Sequence, residues 1–108
     1  MQNTSPFLAM QRVEGELKRL VRQIDPDSLE LDEKKALGQL RRLSLDTRLD
    51  IRDYELSETR LEQISKAVDA KNCLAKLEAA MLSASMVFGP ADIAQLSAQL
   101  EQINGWLV

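Results

Sequence analysis

The sequence has no histidine and a single cysteine, Cys73. Without histidine the chain lacks the side chain most often used as a general base and metal ligand near neutral pH. Nucleophilic triads need a base beside serine or cysteine, which leaves only lysine or a carboxylate for the role, and no motif places one. One cysteine without histidine cannot assemble a zinc site, and it closes no internal disulfide. The four glycines, Gly15, Gly38, Gly89 and Gly105, stand singly, so there is no glycine-rich loop to cradle a phosphate. No run approaches the ~18 consecutive apolar residues of a membrane-spanning helix. No basic start followed by an apolar run marks the first sixteen residues as a signal peptide. These absences predict a cytoplasmic protein with no enzymatic activity, metal or cofactor, and no membrane partner.

Aromatic residues make up only 4% of the 108 residues, against 44% apolar overall, so Leu, Ala, Ile and Met must build the core. Leu and Ala are also the strongest apolar helix formers. Charge of one sign is missing from the last third. All fourteen Lys and Arg lie at or before Lys76, balanced by fourteen acids over the same residues; only Glu78, Asp92 and Glu101 follow. The net charge of −3 argues against a nucleic acid or anionic membrane partner, since both need clustered positive charge. A C-terminal third so poor in charge reads as core or interface.

The pattern that is present is helical. Ala67, Ala70, Leu74, Leu77, Met81, Ala84 and Phe88 recur at three- and four-residue steps, and Ile93, Leu96, Leu100 and Ile103 resume the steps after Gly89-Pro90. Such residues share one face of a helix. Gly closes helices and Pro opens them, so the stretch predicts a helix over 59–88, a turn at Gly89-Pro90 and an antiparallel return helix over 90–104. Leu74, Leu77, Met81, Ala84, Phe88, Ile93, Leu96, Leu100 and Ile103 are the expected core of this hairpin. The 69–72 stretch offers a place for a break. Unbroken, the helix would span about 45 Å and overhang a compact domain roughly 34 Å across, which predicts a homodimer to cover the excess.

Upstream, Ser5-Pro6 reads as an N-cap and first helical residue. A helix over 6–24 then places Phe7, Met10, Leu17, Leu20, Val21 and Ile24 inward, with Glu14 and Lys18 spaced for an ion pair, and stops at Asp25-Pro26. Asp32 is the expected N-cap of a helix over 33–56. Residues 43–51 alternate like a strand, but no other segment offers a strand partner. Read as a helix, Ala36, Leu40, Leu43, Thr47, Ile51 and Tyr54 form one stripe, and Leu45, Leu49 and Leu56 a second. That helix is central in the bundle or shared with a partner. Thr59 with Glu62 fits a capping box.

Asp46, Asp50 and Asp53 share a face, but with Arg42, Arg48 and Arg52 close by they read as a solvated charged surface rather than a metal site. Cys73 reads as a buried, inert thiol. The apolar tail Trp106-Leu107-Val108 packs on its own domain or anchors a partner.

The expected fold is therefore all-α: one domain over 1–108, a small four-helix bundle with a C-terminal antiparallel hairpin, forming a homodimer. The expected function is non-catalytic regulation, by binding a larger cytoplasmic protein through helical surfaces and inhibiting or sequestering it, as an anti-activator or adaptor does. The candidate interface residues are Leu45, Leu49, Leu56, Trp106 and Leu107. A secretion-type chaperone or a subunit of a larger assembly is the alternative. A DNA-binding regulator using Arg41, Arg42, Arg48 and Arg52 is a second alternative; residues 45–68 fit a helix-turn-helix only loosely, and the interleaved aspartates cancel the field.

Overall fold

Ser5 starts the first helix as its sequence predicts. Its Oγ accepts from Leu8 N–H at 3.3 Å, and Pro6 takes the first helical position, where a missing N–H costs nothing. Helix α1 runs Pro6–Arg22. The ending falls two residues earlier than expected because Gln23 and Ile24 tighten onto Leu20 and Val21 carbonyls, the i→i+3 bonds typical of a closing turn. Asp25, before Pro26, is extended, and a short 3-10 turn follows at Pro26–Ser28.

Helix α2 spans Leu31–Glu55. Its N-cap is Glu30, not Asp32: Glu30 N–H donates to Glu33 Oε1 at 2.8 Å, the return arm of a capping box. Residues 43–51 are helical, and no strand occurs among the described residues. Helix α3 spans Arg60–Ser83 without a break at 69–72. Thr59 Oγ1 accepts from Glu62 N–H at 3.1 Å. The helix stops at Ser83, short of Phe88, as Ala84, Ser85 and Val87 take i→i+3 bonds to Met81, Leu82 and Ala84. The turns over 84–88 still deliver Ala84 and Phe88 to the core. Helix α4, Pro90–Trp106, begins at the expected proline but passes Asn104-Gly105. Gly105 does not take a positive φ, so it makes no left-handed cap, and burial of Leu107 and partial burial of Trp106 favour the extra turn.

The structure, a computed structural model, describes residues 5–107; Val108 of the apolar tail lies outside them. It is an all-helical, four-helix assembly. Each helix packs on two neighbours: α1 on α2 and α4, α3 on α2 and α4, with the α2–α3 contact the most extensive. The core lies between them. Met10, Val13, Leu17 and Leu20 enter from α1, Leu40, Thr47, Ile51 and Tyr54 from α2. All the residues expected in the C-terminal core, from Leu74 to Ile103, are buried. Thr47 is fully buried, and its hydroxyl is satisfied by donating to Leu43 O at 2.7 Å. Val13 belongs to the core although the spacing argument passed over it.

The body measures 48 × 28 × 17 Å, with a radius of gyration of 14.5 Å. The 24 residues of α3 span about 36 Å and fit within the long axis. An overhanging helix therefore gives no reason for a dimer, since the body is not spherical and α3 has 24 residues rather than thirty.

Candidate functional site

Helix α2 carries its charges on two flanks. At about 100° per residue, Arg41, Arg48 and Arg52 fall on one side, and Asp46, Asp50 and Asp53 on the other together with Arg42. The tertiary contacts follow this division. Asp50 faces α3, where its Oδ2 accepts from the Cys73 thiol at 2.8 Å. Arg48 faces α1, with Nε 3.0 Å from Glu14 Oε1, although its N–H is not aimed at that oxygen. Glu14 therefore pairs across helices instead of with Lys18. Arg41 and Arg48 thus stand apart from the aspartates around the helix, whereas Arg42 lies among them and Arg52 reaches Asp53 at 3.7 Å.

The arginine flank of α2 meets α1 along a groove of about 480 Å³. Buried Leu17 and Leu40 line its depth; Val21, Leu37 and Leu45 line its sides. Lys18, Arg22, Arg41 and Arg48 surround this apolar strip, and Glu14 is the one acid among the lining residues. Of the four cations, only Arg48 makes an ion pair among the described residues. The groove thus joins an apolar floor to a local charge of about +3, inside a chain of net charge −3.

The expected interface residues separate in this structure. Leu45 is 41% exposed and lines the groove. Leu49 is half-buried, and Leu56 is 68% exposed at the end of α2. Leu107 is 3% exposed and belongs to the core. Trp106 is half-buried against that core and borders a hollow with Pro6, Tyr54, Glu55 and Gln63. The five residues do not form one patch.

Cys73 is half-buried rather than fully buried. Burial, and next the hydrogen bond to the Asp50 carboxylate, push its thiol up to about 12. The thiolate is disfavoured, so the side chain is a poor nucleophile. No group of three or more His, Cys, Asp or Glu able to hold a metal occurs among the described residues. No helix of the described residues is long and apolar enough to cross a membrane.

A second apolar surface was not anticipated. Leu61, Ile64, Val68 and Leu82 stand exposed along α3, and Met86 follows them in the succeeding turn. Leu61 is 79% and Met86 90% exposed. With Ala75, the four residues of α3 form a stripe about 140° around the helix from its core face. The signal was available in the sequence, since Leu61, Val68, Ala75 and Leu82 are seven residues apart.

Comparison with protein families, with curated proteins and with solved structures finds no match to this chain. The class the molecule defines is that of a small four-helix protein with two uncovered helical surfaces, one basic and apolar, one apolar.

Proposed function

We propose that this chain is a small non-catalytic regulator that holds a larger cytoplasmic protein by one of its helices and so inhibits or sequesters it. The observation that carries this reading is the α1–α2 groove. Its apolar floor has space for a row of apolar side chains, and its rim has unpaired cations on both walls. The complementary ligand is an acidic amphipathic helix. Its apolar face would lie on Leu17, Leu40 and Leu45, and its carboxylates would reach Lys18, Arg22 and Arg41. Helices are recognised in grooves of this kind by side chains at i, i+3, i+4 and i+7. Charge of opposite sign would steer the encounter and fix the orientation. A nucleic acid backbone would satisfy the cations but leave the leucine floor unused, which favours a protein over DNA. In this reading α3 and α4 form the antiparallel hairpin expected from the sequence, and the protein works as a homodimer.

The test is affinity capture from native cell extract by the wild-type chain and by Leu45→Asp. Leu45 is exposed, so the variant should keep its helicity by circular dichroism. The expected result is one larger protein held in stoichiometric amount by the wild type, lost with Leu45→Asp and released as salt rises. Equal capture by both proteins would remove the groove from the function. Capture of nucleic acid, with an affinity falling steeply with salt, would replace the regulator by a DNA-binding protein.

A further inference from the structure

The geometry points to a second copy of this chain as the occupant of the α3 stripe, paired antiparallel about a two-fold axis at Ala75. Four residues at intervals of seven, Leu61, Val68, Ala75 and Leu82, make the seam of a left-handed helix pair, because such a repeat drifts slowly around a straight helix and is met by a partner that winds with it. Within α3 the part of the stripe around Ala75 is symmetric, while Leu61 lies beyond the symmetric part. Val68 and Leu82 lie seven residues to either side of it, both within the helix. A two-fold pairing therefore sets Val68 against Leu82, with the smallest side chain at the crossing, where backbones come closest. An isologous contact of this kind closes on itself and makes a dimer rather than a filament.

Charge selects the direction. Lys71 and Glu78 flank the crossing, four residues before Ala75 and three after it. Both are half-buried, and neither has an ion-pair partner among the described residues. The antiparallel pair brings each Lys71 to the other copy's Glu78. A parallel pair in the same register would set Lys71 against Lys71 and Glu78 against Glu78, which is unfavourable. This contact supplies the surface for the homodimer in the proposed function and rests on that reading only for its stoichiometry. The groove lies between α1 and α2, so the two surfaces are lost through different substitutions.

The test is sedimentation equilibrium combined with cysteine cross-linking. The wild type is expected at twice the 12.2 kDa chain mass at micromolar concentration. Leu82→Glu should leave the circular dichroism spectrum unchanged and raise the dissociation constant by about a hundredfold or more, because a charge then faces Val68 twice in each dimer. Lys71→Glu and Glu78→Lys should each weaken the dimer, and the double exchange should restore it. In a Cys73→Ser background, Val68→Cys mixed with Leu82→Cys should form a disulfide-linked dimer, while Val68→Cys alone should not. A wild type that stays monomeric at 100-micromolar order, or a dimer indifferent to Leu82→Glu, would overturn the seam. Self-linking of Val68→Cys would overturn its direction. Leu45→Asp should not change the mass, so failure of the groove and failure of the seam are read separately.

Discussion

Glu55 makes the contact whose removal gives the clearest test of how α1 is held. It sits at the end of α2, 48 residues from the N–H it binds. Its Oε2 accepts from Phe7 N–H at 2.7 Å and from Ser5 Oγ at 3.0 Å. The Ser5 hydroxyl therefore donates to Glu55 while accepting from Leu8 N–H. A carboxylate is placed at the positive end of α1 by another helix, on top of the local serine cap. A hydrogen bond to a charged group contributes roughly 1.5–3 kcal/mol where shielded, and a carboxylate at an exposed helix N-terminus about 0.3–1 kcal/mol. Glu55 is exposed, so the lower part of the range applies, and Glu55→Ala should cost about 1–1.5 kcal/mol. At about 2.1 cal/mol/K per residue, the 108 residues give an unfolding entropy near 0.23 kcal/mol/K, and the melting temperature should fall by about 4–7 °C. Glu55→Gln keeps an acceptor without the charge and should lose about half as much. Thermal melts of the two variants, with Ser5→Ala and the double variant Ser5→Ala/Glu55→Ala, complete the cycle. Coupling of at least about 0.5 kcal/mol between the two sites is expected for groups in direct contact. A drop of under about 1 °C for Glu55→Ala, with additivity across the cycle, would show that Ser5 caps α1 alone and that the interhelix clasp contributes nothing.

Three further outcomes are expected. Gly38 and Gly15 lie inside helices, their φ is not positive, and an added Cβ meets nothing within 4 Å; Gly38→Ala and Gly15→Ala should each raise stability by about 0.5–1 kcal/mol in urea unfolding. Cys73, with its thiol near 12, should react with iodoacetamide at pH 7.5 far more slowly than a free thiol, and Asp50→Asn should speed the reaction without making it fast, because burial acts before the carboxylate does. The folded state holds that proton more tightly than the unfolded chain, whose thiol titrates near ~8.5. Its contribution is therefore complete below that pH and is lost as pH rises towards 12, and alkaline melts should show this loss in the wild type relative to Cys73→Ser.

The C-terminal core was legible because a single pattern carried it. From Ala67 to Ile103 the apolar steps fit one helix face, and Gly89-Pro90 marks the change of helix, so Leu74, Leu77, Met81, Leu96 and Leu100 could be named without coordinates. Helix ends were less legible. Asp32 and Gly105 are good capping residues by type, yet Glu30 caps α2 and Gly105 stays helical under the pull of Leu107. In both cases a neighbouring contact outweighs a preference of about 1 kcal/mol or less. Helix α3 hid its second stripe for a related reason. It is apolar on two sides, and once Ala67, Ala70, Leu74 and Leu77 are taken as the inward face, Leu61, Val68 and Leu82 look like scattered exceptions instead of a period of seven.

The groove was not legible, because it belongs to no single segment. Lys18 and Arg22 come from α1, Arg41 and Arg48 from α2, and only helix packing brings them around Leu17 and Leu40. Even so, half of it follows from α2 alone once its charges are placed by angle. Arg41 to Arg48 is seven residues, almost two turns, while Asp46, Asp50 and Asp53 step by four and three along the far flank. Counting charges along the chain gives cancellation; counting them around the helix sets Arg41 and Arg48 apart from the aspartates and leaves Arg42 among them. The same change of frame applies to the dimer. A helix too long for its domain was the wrong reason to expect a second copy, since the body is as elongated as its helices. The better reason is the chemistry of the α3 surface, where Leu61, Ile64, Val68 and Leu82 stay exposed and none of the described residues buries them.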